Sequence, residues 1–118
     1  MPHCVIECSA QIAAQPDIHR LLQSAHQAAD ASGLFETHDI KVRLLPYEDY
    51  LVGGKDQDFV HIVCHILAGR SDEQKGRLAN SLVHTVCAWL PDVAMVSCEV
   101  RDIVRAHYSN RRQIMAQG

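Results

Sequence analysis

The chain reads as one supersecondary unit written twice, and few architectures accommodate that. Cys4, Ile6 and Cys8 share one face of a strand running from Pro2 to about Ser9. Pro16 and Asp17 suit a helix start, because the missing N–H of a proline costs nothing in the first turn. Ile18, Leu21, Leu22, Ala25 and Ala29 then recur at helical spacing, and Gly33 closes the helix. Ile40, Val42 and Leu44 alternate with Lys41 and Arg43 in a second strand, which Pro46 is expected to end. A charged loop from Glu48 to Asp58, carrying Gly53 and Gly54, reads as a hinge between halves.

The pattern restarts at an offset of about 57 residues. Phe59 to Leu67 is a strongly apolar strand, and Ser71 with Gln74 makes a capping box for a second helix. Leu78, Leu82, Val86 and Trp89 carry the stripe expected to be buried, and Pro91 stops it. A last strand lies within Val93 to Val104, with Met95, Val96, Cys98 and Val100 as its apolar members. A helix between two strands is a crossover joining parallel neighbours, and such crossovers are right-handed. The expected fold is therefore α+β: two β-α-β units form a four-stranded mixed sheet with both helices on one face. A single domain over 1–118 is expected, with halves near 2–47 and 58–104 and a tail from 105 to 118.

Two helices cover one face of a sheet only. Phe59, Val63 and Leu67 point to the other side of their strand, which predicts an apolar uncovered face that meets other subunits. A closed homo-oligomer follows from that reading.

Composition narrows the function classes. The apolar fraction of 47% suits a packed core. No apolar run approaches the roughly 20 residues that span a bilayer, and Met1-Pro2-His3-Cys4 does not open a signal peptide. A net charge of −3 argues against a nucleic-acid partner. The five cysteines include no C-x-x-C pair and read as reduced, buried thiols of a cytoplasmic protein. Arg101, Arg105, Arg111 and Arg112 crowd the C-terminus; they either serve an anionic ligand or form a solvated end, and the solvated reading is favoured for Arg111 and Arg112.

Three places could carry chemistry. Loss of Met1 before a small residue would leave Pro2 as a free secondary amine at the start of a strand. Such an amine, shielded from water and near cations, has its charged form disfavoured and becomes a base near neutrality. The plain alternative is an ordinary strand-initiating proline. Arg70 stands between a strand end and a helix N-terminus, a junction suited to anions, or else is a solvent-facing turn residue. Lys41 and Arg43 are two apart on a strand and so share a side, either as carboxylate binders or as the wet face of an edge strand. No metal site is expected despite eight histidines. His61 and His65 are about 13 Å apart along a strand at roughly 3.3 Å per residue, too far to chelate zinc alone. His61, His65 and His84 read as structural or as packed near the site.

Met1-Pro2-His3 with Glu7-Cys8-Ser9, Gly33-Leu34-Phe35, and Phe59-Val60-His61 running to Ala68-Gly69-Arg70-Ser71 resemble the 5-carboxymethyl-2-hydroxymuconate Δ-isomerases. These belong to the tautomerase superfamily of amino-terminal-proline enzymes. The likeness spans roughly residues 2 to 103 and fades in the tail. It implies a trimer with active sites between subunits, no cofactor and no metal. It also implies a proton shift in an unsaturated hydroxy di- or tricarboxylic acid from homoprotocatechuate degradation. Pro2 would match the catalytic proline and Arg70 an arginine that binds or polarises the substrate. Lys41 stands where the family's other substrate-binding arginine is expected, with Arg43 two residues on. Lysine lacks the bidentate fork that grips a planar carboxylate, so either Arg43 takes part of that role or the substrate is held differently. Two alternatives stay open: a tautomerase for another 2-hydroxydienoate or enol acid, and a non-catalytic protein binding an anionic metabolite.

Overall fold

The computed structural model describes residues 1–117. The strands are β1 (His3–Ser9), β2 (Lys41–Tyr47), β3 (Phe59–Leu67) and β4 (Met95–Ile103). The helices are α1 (Ala10–Ala13), α2 (Ile18–Ala31), α3 (Asp72–Trp89) and α4 (Arg111–Gln117), with 3-10 turns at Thr37–Asp39 and Arg105–His107. The sheet order is β2-β1-β3-β4. β1 runs parallel to β2 and β3 parallel to β4, while the central pair β1–β3 is antiparallel. The halves match closely: their first strands begin at residues 3 and 59, their long helices at 18 and 72, and their second strands at 41 and 95.

The core forms where alternate strand residues meet the helix stripes. Cys4, Ile6 and Cys8 of β1 and Val60, Ile62, Cys64 and Ile66 of β3 are buried against Leu21, Ala25 and Ala29 of α2 and Leu78, Leu82 and Val86 of α3. The capping box at the start of α3 is present: Gln74 N–H donates to Ser71 Oγ at 3.1 Å, and Ser71 N–H donates to Gln74 Oε1 at 2.9 Å.

Several sequence expectations need correction. Pro46 does not end β2; it lies within that strand, opposite Cys8. β2 is an edge strand, where a missing N–H costs no ladder bond on the solvent side. Trp89 is half-exposed, because its indole reaches out to donate to Ser24 Oγ at 2.9 Å. Cys87 is exposed and Cys98 partly so, leaving Cys4, Cys8 and Cys64 as the buried thiols. Met95 is exposed at the start of the edge strand β4.

The uncovered sheet face is mixed, not apolar. His61 and His65 alternate with Phe59, Val63 and Leu67 along β3, and the register sets them beside Glu7, His3 and Arg101. His61 lies 2.7 Å from Ser97 Oγ through Nδ1 and 2.8 Å from Glu99 Oε2 through Nε2. Arg101 Nε donates to Glu99 Oε1 at 2.6 Å. Glu99 therefore ionises far below the usual carboxylate range, at about 2, held by Arg101 first and His61 second.

Candidate active site

The antiparallel centre of the sheet brings the beginnings of β1 and β2 to the same end as the finishes of β3 and β4. A cleft of about 410 Å³ opens there, a size that suits a small metabolite. Met1 and Asp39 line it from the start of the chain and of β2, and Leu67 from the end of β3. The turn from Gly33 to Glu36 forms another wall, and Arg70, Arg105 and Arg112 bring positive charge to it. A somewhat larger groove of about 500 Å³ between α2 and β2 is lined by residues such as His19, Leu22 and Val42, with no lysine or arginine. Its three arginines equip the first of these to hold an anion.

Local backbone chemistry sets its shape. Gly33 has φ +73°, which ends α2 and turns the chain so that the Leu34 carbonyl faces Arg70. Arg70 Nη2 donates to Leu34 O at 2.6 Å and Nη1 reaches Leu67 O at 3.4 Å, while the guanidinium carbon lies 5.4 Å from the Phe35 ring centroid. Gly69, at φ +130°, takes a conformation that a side chain would strain, and it directs the chain from β3 into Arg70 and the α3 cap. On the opposite edge Arg105 Nε donates to Ala68 O at 2.8 Å. Neither Arg70 nor Arg105 has a carboxylate partner among the described residues. Arg112 does have one, Asp39 Oδ1 at 3.3 Å.

Pro2 is fully buried at the start of β1, and its carbonyl accepts from Lys41 N–H at 3.0 Å. Met1, which precedes it, lines the cleft. Burial lowers the pKa of the Met1 amine, and the neighbouring Lys41 ammonium lowers it further. Lys41 Nζ also donates to Asp39 O at 2.5 Å. Pro2, Lys41 and Arg70 are thus gathered at one end of the sheet. Arg43 is not with them in the protomer: its Nη1 donates to His3 Nδ1 at 3.0 Å on the uncovered face.

Sequence reasoning missed part of this site. Arg112 is solvated, with a side chain 71% exposed, and it also pairs with Asp39 Oδ1 at the cleft rim. Arg105 and the Gly33–Glu36 wall were also not assigned to it, and the only signal for the former was the crowding of arginines near the C-terminus.

The chain is similar to known proteins in sequence and in fold. The sequence profile of 5-carboxymethyl-2-hydroxymuconate isomerase matches residues 2–114. A 5-carboxymethyl-2-hydroxymuconate Delta-isomerase from Escherichia coli is 28% identical over 102 residues, covering 82% of this chain and 81% of the relative. A 5-carboxymethyl-2-hydroxymuconate isomerase from Deinococcus radiodurans R1 superposes with a TM-score of 0.79 at 26% identity, covering 98% of this chain and 92% of that one. A fused 4-OT wild type asymmetric trimer gives a TM-score of 0.83 at 21% identity, covering 98% of each chain, and shares the fold. With the family profile matching residues 2–114, the chain belongs to the 5-carboxymethyl-2-hydroxymuconate isomerase family and is an isomerase.

Proposed function

We propose that the whole chain acts as one tautomerase-like domain that shifts a proton in an unsaturated 2-hydroxy acid bearing two or three carboxylates. 5-Carboxymethyl-2-hydroxymuconate, the compound that names the family, is the first candidate. Pro2, freed by loss of Met1, is the acid–base group. Its neutral nitrogen takes the proton of the 2-hydroxyl and delivers it to a carbon of the conjugated chain. The O–H bond and one C=C are lost, a C–H and a C=O form, and no electrons leave the substrate. Arg70 binds and polarises the carboxylate end, and Lys41 adds positive charge beside the nitrogen.

The observation that carries this reading is the environment of the chain's amine. Burial and Lys41 already push the Met1 amine below its ordinary value. A proline nitrogen left in nearly the same place would be shifted the same way, which favours its neutral, basic form. Arg70 supports it too, since a guanidinium has five N–H groups and only two are spent on carbonyls here.

A homotrimer is part of the proposal. β2 and β4 both leave unpaired edges, and Leu45 and Met95 are exposed on the uncovered face at 44% and 52%. Arg43, on that same face, would serve a cleft only across a subunit boundary.

The test uses protein whose mass confirms Pro2 as the terminus. Ultraviolet loss of 5-carboxymethyl-2-hydroxymuconate is followed beside simpler 2-hydroxydienoates, with Pro2→Ala as control. A fall of about 10²- to 10⁴-fold in kcat/KM is expected in the variant. No acceleration of any dienol by the processed protein would end the proposal.

A further inference from the structure

Lys41 leaves the site short of a fork. Its single ammonium is turned onto Asp39 O and the chain's amine, and a point charge does not grip a planar carboxylate bidentately. A second guanidinium does border the cleft, from the other side of the sheet. Arg105 follows β4, and its Nε is spent on Ala68 O at 2.8 Å. That bond holds the head group beside the Gly69–Arg70 peptide: a Cβ built on Gly69 would stand 3.6 Å from Arg105 Nη2. Four N–H groups on Nη1 and Nη2 remain, and no carboxylate of the described residues pairs with them. Arg112, the third arginine at the cleft, is neutralised by Asp39. The cleft therefore has two guanidinium groups without a carboxylate partner among the described residues, Arg70 held by two backbone carbonyls and Arg105 by one.

We propose that Arg105 is a carboxylate-binding residue of this site and that, together with Arg70, it makes the cleft selective for dicarboxylates over monocarboxylates. Arg70 takes the carboxylate next to the reacting enol and Arg105 takes a distal one. This rests on the cleft being the substrate site, as proposed above. It locates the fork that Lys41 lacks in the 3-10 turn just after β4, at the sheet edge remote from Lys41.

Binding of non-reacting analogues separates this inference from the catalytic one. Calorimetry on Pro2-terminated protein would compare cis,cis-muconate, a dicarboxylate, with sorbate, a monocarboxylate of similar length. Arg105→Ala should weaken muconate about 10- to 100-fold and sorbate less than about twofold. Arg105→Lys should fall between, because it keeps the charge and loses the fork. Circular dichroism and the melting midpoint of Arg105→Lys guard against misfolding. Equal losses for both ligands, no loss for either, or failure of the unaltered protein to bind muconate would each overturn the assignment. If muconate binding depends on Arg105 while no dienol turns over through Pro2, the catalytic reading fails and this one stands. If turnover depends on Pro2 but Arg105 does not discriminate between the two ligands, the Arg105 assignment fails and proline catalysis stands.

Discussion

Replacing Arg70 by alanine cuts a structural tie as well as a ligand contact, and the two losses have different signatures. The guanidinium joins the turn after α2 to the end of β3 through Leu34 O at 2.6 Å and Leu67 O at 3.4 Å. A hydrogen bond from a charged donor contributes about 1.5–3 kcal/mol, and the longer of these two is worth little. The Phe35 ring at 5.4 Å adds a cation–π contribution of about 0.5–1 kcal/mol at a partly wet site. Arg70→Ala should therefore cost about 2–3 kcal/mol, a drop in Tm of roughly 8–12 °C for a domain of this size. The assay is thermal or urea unfolding at fixed protein concentration, since an oligomer's midpoint depends on it. Arg70→Lys should recover less than half, because one ammonium cannot reach both carbonyls. A double-mutant cycle with Phe35→Leu should return a coupling of about 0.5–1 kcal/mol. A Tm within about 2 °C of the unaltered protein would refute the tie and leave Arg70 as a ligand contact only.

Three further outcomes follow from the fold. Ser71→Ala removes the Ser71 half of the α3 capping box and should lower stability by about 0.5–2 kcal/mol in urea unfolding, with Ser71→Asp close to the unaltered protein. Glu99 ionises at about 2 when folded, below its ordinary 4.5, so its stabilisation is complete above about pH 4.5 and lost as pH falls through 2. The Tm difference between the unaltered protein and Glu99→Gln should thus be constant at neutral pH and shrink across that acid window; a constant difference down to pH 2 would contradict the ion-paired assignment. Cys87 is exposed, whereas burial raises the Cys8 thiol to about 11 and the Cys98 thiol to about 12. One thiol should react with Ellman's reagent in native protein, the rest only on unfolding, and Cys87→Ser should abolish the native signal.

The repeat was legible because each unit carries its own local signals. The span Phe59 to Leu67, the Ser71–Gln74 box and the buried positions Leu78, Leu82 and Val86 can be read from alternation, capping chemistry and helical spacing alone. What escaped depends on long-range placement. Pro46 stays in its strand because β2 is at an edge, a fact of sheet order. His61 and His65 give the uncovered face a polar ladder, whose partners Glu99 and Arg101 are set by the β3–β4 register. The site divides in the same way. Pro2, Lys41 and Arg70 adjoin strand ends, and it was the family resemblance, not the topology, that named them together. Arg105 and Arg112 belong to the 3-10 turn and α4 beyond the repeat, where no periodicity indicated that the chain folds back over the cleft toward Asp39.

The claim that the Pro2 nitrogen is the base is tested most directly by one comparison within a single sequence. Protein retaining Met1 is separated from protein beginning at Pro2, each verified by mass, and both are assayed on the same dienol. An acyl group on the proline nitrogen makes it an amide with no basic lone pair, while Arg70, Arg105 and Lys41 remain in place. Activity confined to the Pro2-terminated form, in proportion to its fraction in mixtures, is the predicted result. Equal turnover by both forms would contradict proline catalysis outright.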